Sequence, residues 1–451
     1  SIFDRYFLYC YAPRENRRAW RLAGRPVPPI QRRENTLFER KLKLLACGLA
    51  AAAVSLGLIA CGGSDDDSGG GASAGDSVTV YSSFPLQGAS RPTGMAFQNG
   101  IELAFKQAGN KAGDVDVKFV PLDDATVQAG QWTPEAESAN AKKAAQDDSA
   151  VAYLGTFNSG AAAISIPILN EAGMAMLSPG NTAVGLTSDA PGADTEAGEP
   201  EVYYPSGSRN YARIVPKDTV QGAALAKLMD QDGCKAVGVM HDNEVFGEGL
   251  ATNVEIAGKE FDYEIVSAGA VDTKAANYRA AAESLGEKGV DCFVYGGITA
   301  SNAVQLYKDV AAAIPGVKLY GPDGVADSDF SEGLPANVAA NTKVTVATLS
   351  EDEYGPEGAK FYKQYKQEYG KAEPYAIYGY EVGQLILDVI ARAEDPTDRQ
   401  SVMDAMFETK DRDSILGTYS IDENGDTTLT DYGVYSIDGG EFAFDQKITT
   451  K

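Results

Sequence analysis

The sequence predicts an α/β protein of two lobes, each built around a parallel central sheet. Three observations carry this expectation. Strand-like and helix-like segments alternate from Asp76 onward; the alternation runs twice, broken by a polar loop over 188–208; and strands such as Ala150–Gly155 are apolar throughout, as strands covered on both faces are. The 451 residues suffice for two or three domains, and 44% hydrophobic with 23% charged residues is a globular balance.

In the first run, strands are expected at Val78–Phe84, Val115–Leu122, Ala150–Gly155 and Ala175–Pro179. Helices fall between them at Gly94–Gly109, Pro134–Asp147 and Ser159–Ala172; in the first, Met95, Ile101, Leu103, Ala104 and Phe105 recur at helical spacing. After the loop come helix Thr219–Asp232, strand Ala236–His241, helix Gly247–Glu260, strand Tyr263–Ala268, helix Tyr278–Lys288, strand Asp291–Tyr295, helix Ser301–Ile314 and strand Lys318–Gly321. Strand Thr342–Leu349 leads into helices Pro356–Tyr369 and Ala376–Arg392. The chain ends in β-like segments around Leu416 and Asp431, with Asn424-Gly425 suited to a hairpin turn. Helices of this length between strands imply right-handed βαβ crossovers.

The N-terminal region reads as an export segment. Arg40, Lys41 and Lys43 precede 17 uncharged residues, 44–60, too short for a membrane span of about 20. Leu58-Ile59-Ala60-Cys61 resembles a bacterial lipobox, so 40–60 is expected to be a lipoprotein signal peptide with Cys61 lipidated after cleavage. Residues 61–76, rich in Gly, Ser and Asp, read as a flexible tether. Residues 1–39 lack an initiating Met, add nothing to export and are set aside as an upstream extension. The expected location is extracytoplasmic, anchored to the cell membrane.

Charge and cysteine usage narrow the function. Residues 1–60 hold 11 basic and 4 acidic side chains, leaving 28 basic and 60 acidic for 61–451, a net −32. Such a body repels phosphate backbones, which excludes a nucleic-acid partner. One histidine in the chain argues against multi-His metal sites and His-based catalysis; no metal and no cofactor are expected. Cys234 and Cys292 each stand just before an apolar strand, and in an oxidising compartment they suit a disulfide between neighbouring strands, or else two free buried thiols. Gly71–Gly75 matches G-x-S-x-G but lies in the tether, no P-loop is present, and Asp422–Asp426 is read as a solvated turn rather than a calcium loop. His241, ending a strand beside Asp242, is read as a structural or rim residue.

Ligands of open parallel sheets sit beyond the carboxyl ends of strands. Three such ends stand out: Thr156–Gly160 opening a helix, Ser178–Thr182, and Pro322-Asp323-Gly324 in the second run. The first two offer hydroxyls and free N–H groups to an anion, and the third a carboxylate to a cation. Together they describe a zwitterion held between two lobes.

The stretches Asn99–Ala104, Leu122–Asp124, Leu154–Ser159, Met176–Thr182, His241-Asp242, Phe246–Ala251, Tyr295–Gly297 and Tyr320–Gly324 resemble, in order and spacing, the type I periplasmic binding proteins of branched-chain amino acid ABC transporters, the leucine/isoleucine/valine-binding group. The resemblance covers the chain from about Asp76 to its end. It implies two Rossmann-like lobes joined by a three-crossover hinge, with lobe 1 at 77–216 and 348–431 and lobe 2 at 217–347 and 432–451. It implies that Ser159 binds the ligand carboxylate, the Gly180 carbonyl accepts from the ammonium, Thr182 binds both ends of the head group, and Asp323 is the acidic partner of the ammonium. It places Tyr375 as an aromatic wall residue and Phe246 at a tyrosine position. Thr93 stands for an aromatic at the cleft mouth, and Ile298 follows Gly297 where some members have Tyr. The family's lobe-1 disulfide is missing, since Asp124-Ala125 and Asn158 hold no cysteine, and the 188–208 loop is longer. The implied function is a monomeric solute-binding lipoprotein that closes on a branched-chain or similar aliphatic amino acid and delivers it to permease subunits. The alternatives are a sensory receptor for a small amide or other metabolite, or an exported enzyme, whose nucleophile–base pair would be hard to assemble around one histidine.

Overall fold

The computed structural model describes residues 77–193 and 197–450. The export segment, Cys61 and the tether expected at 61–76 lie outside the described residues. The first stretch contains β1 (Ser77–Phe84), α1 (Arg91–Gln107), β2 (Lys111–Ala112), β3 (Val115–Asp123), β4 (Ala125–Thr126), β5 (Gln131–Trp132), α2 (Pro134–Ala145), β6 (Ala150–Gly155), α3 (Ser159–Glu171), β7 (Ala175–Ser178) and β8 (Tyr211–Arg213). The second holds α4 (Asp218–Gln231), β9 (Ala236–His241), α5 (Val245–Gly258), β10 (Glu264–Ala270), α6 (Arg279–Glu287), β11 (Cys292–Gly296), α7 (Ala303–Ala313), β12 (Lys318–Gly321), α8 (Ser328–Gly333), α9 (Ala336–Ala339) and β13 (Thr342–Val346). Helices α10 (Gly355–Tyr369), α11 (Ala376–Arg392) and α12 (Arg399–Phe407) and strands β14 (Arg412–Ser414), β15 (Gly417–Tyr419), β16 (Asp431–Asp438) and β17 (Glu441–Thr449) complete it.

The elements form two main sheets, ordered β2-β3-β1-β6-β7-β8 and β10-β9-β11-β12-β13-β16-β17. Strands β3, β1, β6, β7 and β8 are parallel, as are β10, β9, β11, β12 and β13; β2, β16 and β17 add antiparallel edges. Strand β6 is buried at every position, which explains its unbroken apolar run. Helix α2 starts at Thr133, whose hydroxyl accepts the Ala136 N–H at 3.3 Å, with Glu135 and Glu137 in the first turn and Lys142 and Lys143 in the last. Helix α11 packs on α1 with glycines at the contact: a Cβ on Gly100 would lie 2.3 Å from the Ala376 carbonyl oxygen, and one on Gly379 2.4 Å from that of Phe97. The chain passes between the sheet systems after β8, after β13 and before β16.

Several elements differ from expectation. Strand β8 was hidden by its three-residue length; all three residues are buried and pair with β7. The 188–208 loop carries a short 3₁₀ turn, Glu201–Tyr203, and buries Tyr203 and Tyr204 against the first lobe; the Tyr204 hydroxyl donates to the Leu186 carbonyl at 2.6 Å. Helix α7 starts at Ala303 because Asn302 takes a left-handed φ of 63°. Helix α12 was not expected; Arg399 anchors it by donating to the carbonyls of Ala150 (2.8 Å) and Asp147 (2.7 Å). Asn424-Gly425 does sit at a turn closed by the Ile421–Thr427 bridge, but the segment is not simply solvated, since Asp426 is buried and paired with Arg213 and Lys217.

Candidate ligand-binding cleft

Two turns on the first sheet and one on the second converge. Strand β6 ends at Gly155, and the chain turns through Thr156–Asn158 into α3; β7 ends at Ser178 and turns through 179–182. Asn181 ties these turns together, its amide donating to the carbonyls of Thr156 (2.8 Å) and Phe157 (2.9 Å). The Ser178 hydroxyl accepts from the N–H groups of Gly180 (3.1 Å) and Asn181 (2.9 Å). The Ser159 oxygen accepts the Ala183 N–H at 3.2 Å, which leaves its own proton to donate. Opposite, β12 ends at Gly321 and places Asp323 on a 3₁₀ turn.

These turns converge on a narrow cavity lined by Phe157, Asn158, Ser159, Gly180, Thr182, Phe246, Ile298, Asp323 and Gly324. Six of the eight pocket positions singled out in the sequence therefore meet: Ser159, Gly180, Thr182, Asp323, Phe246 and Ile298. Tyr375 is not on the cavity wall. It is buried behind Asp323, donates its hydroxyl to Asp323 Oδ2 at 2.5 Å and stacks on Phe97 with ring centroids 5.0 Å apart. Thr93 lies in the first turn of α1, 2% exposed and not among the lining residues, so it does not stand at an open mouth.

The electrostatics of the cavity are one-sided. Asp323 is 2% exposed, and its Oδ1 has no hydrogen-bond partner. Burial pushes its carboxyl up to about 6, against the Tyr375 hydroxyl and the Gln221 amide, which favour the charged form. No Lys or Arg lines the cavity. Ile298 is held by its N–H donating to Asp242 Oδ2 at 3.2 Å, and Asp242 is raised to about 6 by burial.

The two lobes also meet at the cleft rim, where α3 packs against α5. The Glu244 carboxylate of the second lobe lies 3.4 Å from where a Cβ on Gly160 would sit, at the start of α3, and the Trp132 ring is 2.8 Å from the same point. Burial, then the neighbouring Asp242, raises Glu244 to about 7. Remote from the cleft, Cys234 and Cys292 are joined as a disulfide at the starts of β9 and β11, with a Cα–Cα distance of 5.8 Å. His241 Nδ1 accepts the Asn243 N–H at 3.2 Å. Among the described residues no group of three or more His, Cys, Asp or Glu could hold a metal ion, and no helix is long and apolar enough to cross a membrane. A larger cavity of about 390 Å³, between α10, α11 and β14, contains none of the residues singled out above.

Sequence reasoning missed the wall residues Phe157 and Asn158, although both adjoin Ser159. It also missed Asp218 and Gln221, on the first turn of α4, and the Arg213–Asp426 pair. A charged residue predicted one place before a helix carries no signal of where its carboxylate points.

The Periplasmic binding protein family matches residues 78–441. A Leu/Ile/Val-binding protein homolog 1 from Brucella suis is 27% identical over 405 residues, spanning 88% of this chain and 97% of the relative. The branched-chain amino acid transporter substrate binding protein LivJ from Streptococcus pneumoniae, solved with isoleucine, superposes with a TM-score of 0.70 at 19% identity, covering 83% of this chain and 100% of that one. A solute binding protein of an ABC transporter from R. palustris, solved with benzoate, gives 0.67 at 20% identity over 83% and 98%. Both solved proteins share the two-lobed α/β fold. With the family match spanning most of its length, this chain belongs to the periplasmic binding protein family.

Proposed function

We propose that this chain is an extracytoplasmic solute-binding protein of an ABC importer that takes an amino acid with an aliphatic side chain. The observation that carries the reading is the unpaired Oδ1 of buried Asp323 across the cavity from Ser159 and Thr182. A buried acceptor left without a donor costs about 1–3 kcal/mol, and an ammonium would remove that cost. The hydroxyls and main-chain N–H groups of the first lobe would take the carboxylate, and Phe157, Phe246 and Ile298 the side chain. An aromatic carboxylate such as the benzoate of the R. palustris protein would bring Asp323 no donor, so the amino-acid reading is favoured over that one.

Charge-assisted hydrogen bonds contribute about 1.5–3 kcal/mol each. Micromolar affinity needs about −8 kcal/mol, within reach of a few such bonds plus an apolar wall after ordering costs. Closure about the three crossovers would exclude water and deliver the loaded protein to permease subunits, with a lipid on Cys61 holding it at the membrane.

The test is a thermal-shift screen of the twenty amino acids, small amides and benzoate, followed by calorimetry of Asp323→Asn. An aliphatic amino acid should raise the melting temperature of the wild type and bind the variant at least 100-fold more weakly. A shift with benzoate but with no amino acid would sink the reading. Cys61→Ser should release the protein from membranes in cell fractionation; persistent membrane association would contradict the lipid anchor.

A further inference from the structure

Three contacts of different kinds fasten the lobes together at the rim. Val245, which opens α5 on the second lobe, packs against the first lobe's buried cluster that includes Ala162 and Ile166 of α3. Asn253, two turns further along α5, meets Gly192 of the 188–208 loop so closely that a Cβ on Gly192 would lie 2.1 Å from its Nδ2. The third contact is polar. Glu244 precedes α5, and its N–H donates to Asp242 Oδ1 at 3.1 Å. That bond holds the main chain of the turn, while the side chain leaves it for the other lobe: Oε2 lies 3.4 Å from the Cβ position of Gly160, the second residue of α3.

The place it reaches is unfinished. Helix α3 has no side-chain cap, and Asn158 Oδ1 at its start is buried without a donor. Trp132 Nε1, whose ring borders the same Cβ position, is buried without an acceptor. A carboxylic acid that keeps its proton is both donor and acceptor, whereas a carboxylate only accepts.

We propose that Glu244 is a closure latch, a positioning residue that crosses the rim as a neutral acid and fastens the second lobe to the start of α3 when the lobes close. The proposal requires hinge closure and does not depend on which ligand fills the cleft.

The surroundings of Glu244 set its charge state. Asp242 is the charged group that acts on it, and burial is the larger cause of its rise to about 7. Glu248, one turn along α5, and His241, at the end of β9, are the other titratable groups of this turn. Strand β5 has no charged residue, and the one on α3 is Glu171, at its far end. The positive end of α3 favours the carboxylate, and burial outweighs it. With the lobes apart the side chain is in water, where a glutamate titrates at about 4.3. The closed form therefore binds the proton more tightly, so closure takes one up. The latch is complete at low pH and is lost as pH rises through about 7. Asp323 acts in the opposite sense below about pH 6, because an ammonium needs its charged form. The window above that value isolates Glu244.

The chain has two tryptophans, and Trp20→Phe leaves Trp132, which borders the latch, as the only one. In that background, without ligand, Trp132 emission should titrate between pH 5 and 8, and Glu244→Gln should abolish the transition. No transition, or one that survives in Glu244→Gln, overturns the latch. Calorimetry with whichever amino acid binds gives the second readout. Wild-type affinity should tighten about four-fold from pH 8 to 6.5, as a group closing with a value of about 7 requires. Glu244→Gln should bind at least five-fold more tightly than the wild type at pH 8, with a flat profile. Glu244→Ala, equally flat but too short to span the rim, should bind more weakly than Glu244→Gln; equal affinity of the two variants would overturn the fastening role. If no amino acid binds the wild type, the amino-acid reading fails, and the fluorescence titration still decides the latch.

Discussion

Asp426 and Asp323 are both buried carboxylates, 5% and 2% exposed, and the protein treats them in opposite ways. Asp426 Oδ1 accepts from Arg213 Nε and the Thr187 hydroxyl, both at 2.8 Å, and Oδ2 from Lys217 Nζ at 2.6 Å. Burial alone would raise it, but Arg213 and Lys217 outweigh burial and hold it down to about 2. Asp323 has the Tyr375 hydroxyl and the Gln221 amide in its favour but no cation, and burial pushes it up to about 6. The difference separates an acid that the fold completes from an acid that the fold leaves open for something else to complete.

The largest break in that comparison should come from Asp426→Ala. It strands Arg213, itself 0% exposed, without its ion partner, and breaking a buried pair in this way costs about 3–5 kcal/mol. Urea unfolding should show that loss, while Asp323→Asn should leave the ligand-free protein as stable as the wild type or more so.

The pH dependence of stability sharpens the contrast by its sign. The folded-state value of Asp426 is depressed, so its stabilisation is complete above about pH 4 and is lost as pH falls toward 2. That of Asp323 is raised, so the folded state binds a proton that the unfolded chain does not between about pH 4 and 6. Stability of the ligand-free protein therefore rises as pH falls through that window, at up to about 1.4 kcal/mol per pH unit. Asp242, Glu244 and Glu137 are raised as well. The difference between wild type and Asp323→Asn in urea melts from pH 4 to 7 isolates the contribution of Asp323, and parallel curves for the two proteins would contradict its place in the comparison.

A smaller effect is expected at the rim. Gly160→Ala puts a methyl group 2.8 Å from the Trp132 ring and against Glu244, so the lobes should close less completely. Ligand affinity should fall about ten-fold, or about 1.4 kcal/mol, by calorimetry. The smallest belongs to Lys360→Ala: its pair with Glu357 is 60% and 73% exposed, and its loss should change stability by less than about 0.5 kcal/mol in the same urea assay.

Much of this molecule could be read before any coordinates. The alternation of apolar strands and amphipathic helices is local, because period 2 and period 3.6 patterns are written in neighbouring residues. The segments expected at Ala150–Gly155, Ala236–His241 and Ala376–Arg392 accordingly occupy those residues as β6, β9 and α11. Small-residue turns at strand ends marked Ser159, Gly180 and Thr182, and an acidic turn marked Asp323, because a strand's end is where a parallel sheet exposes its ligand face. Where local signal was weak the reading failed. Three-residue β8 is shorter than any periodicity can register, and α12 is held by Arg399 reaching carbonyls some 250 positions earlier.

What the amino-acid order determined by itself was the architecture and the identity of the groups at each strand end. What only the tertiary structure decided was the charge state and partnership of the acids. Asp426, in a turn that reads as solvated, is drawn beside Arg213 across 213 positions of sequence, whereas Asp323 and Asp218, 105 positions apart, are brought close enough to repel each other. The reason is electrostatic. A carboxylate's energy depends on which dipoles and charges surround it within a few ångströms and on how much water is gone, and neither is set by its neighbours in the chain.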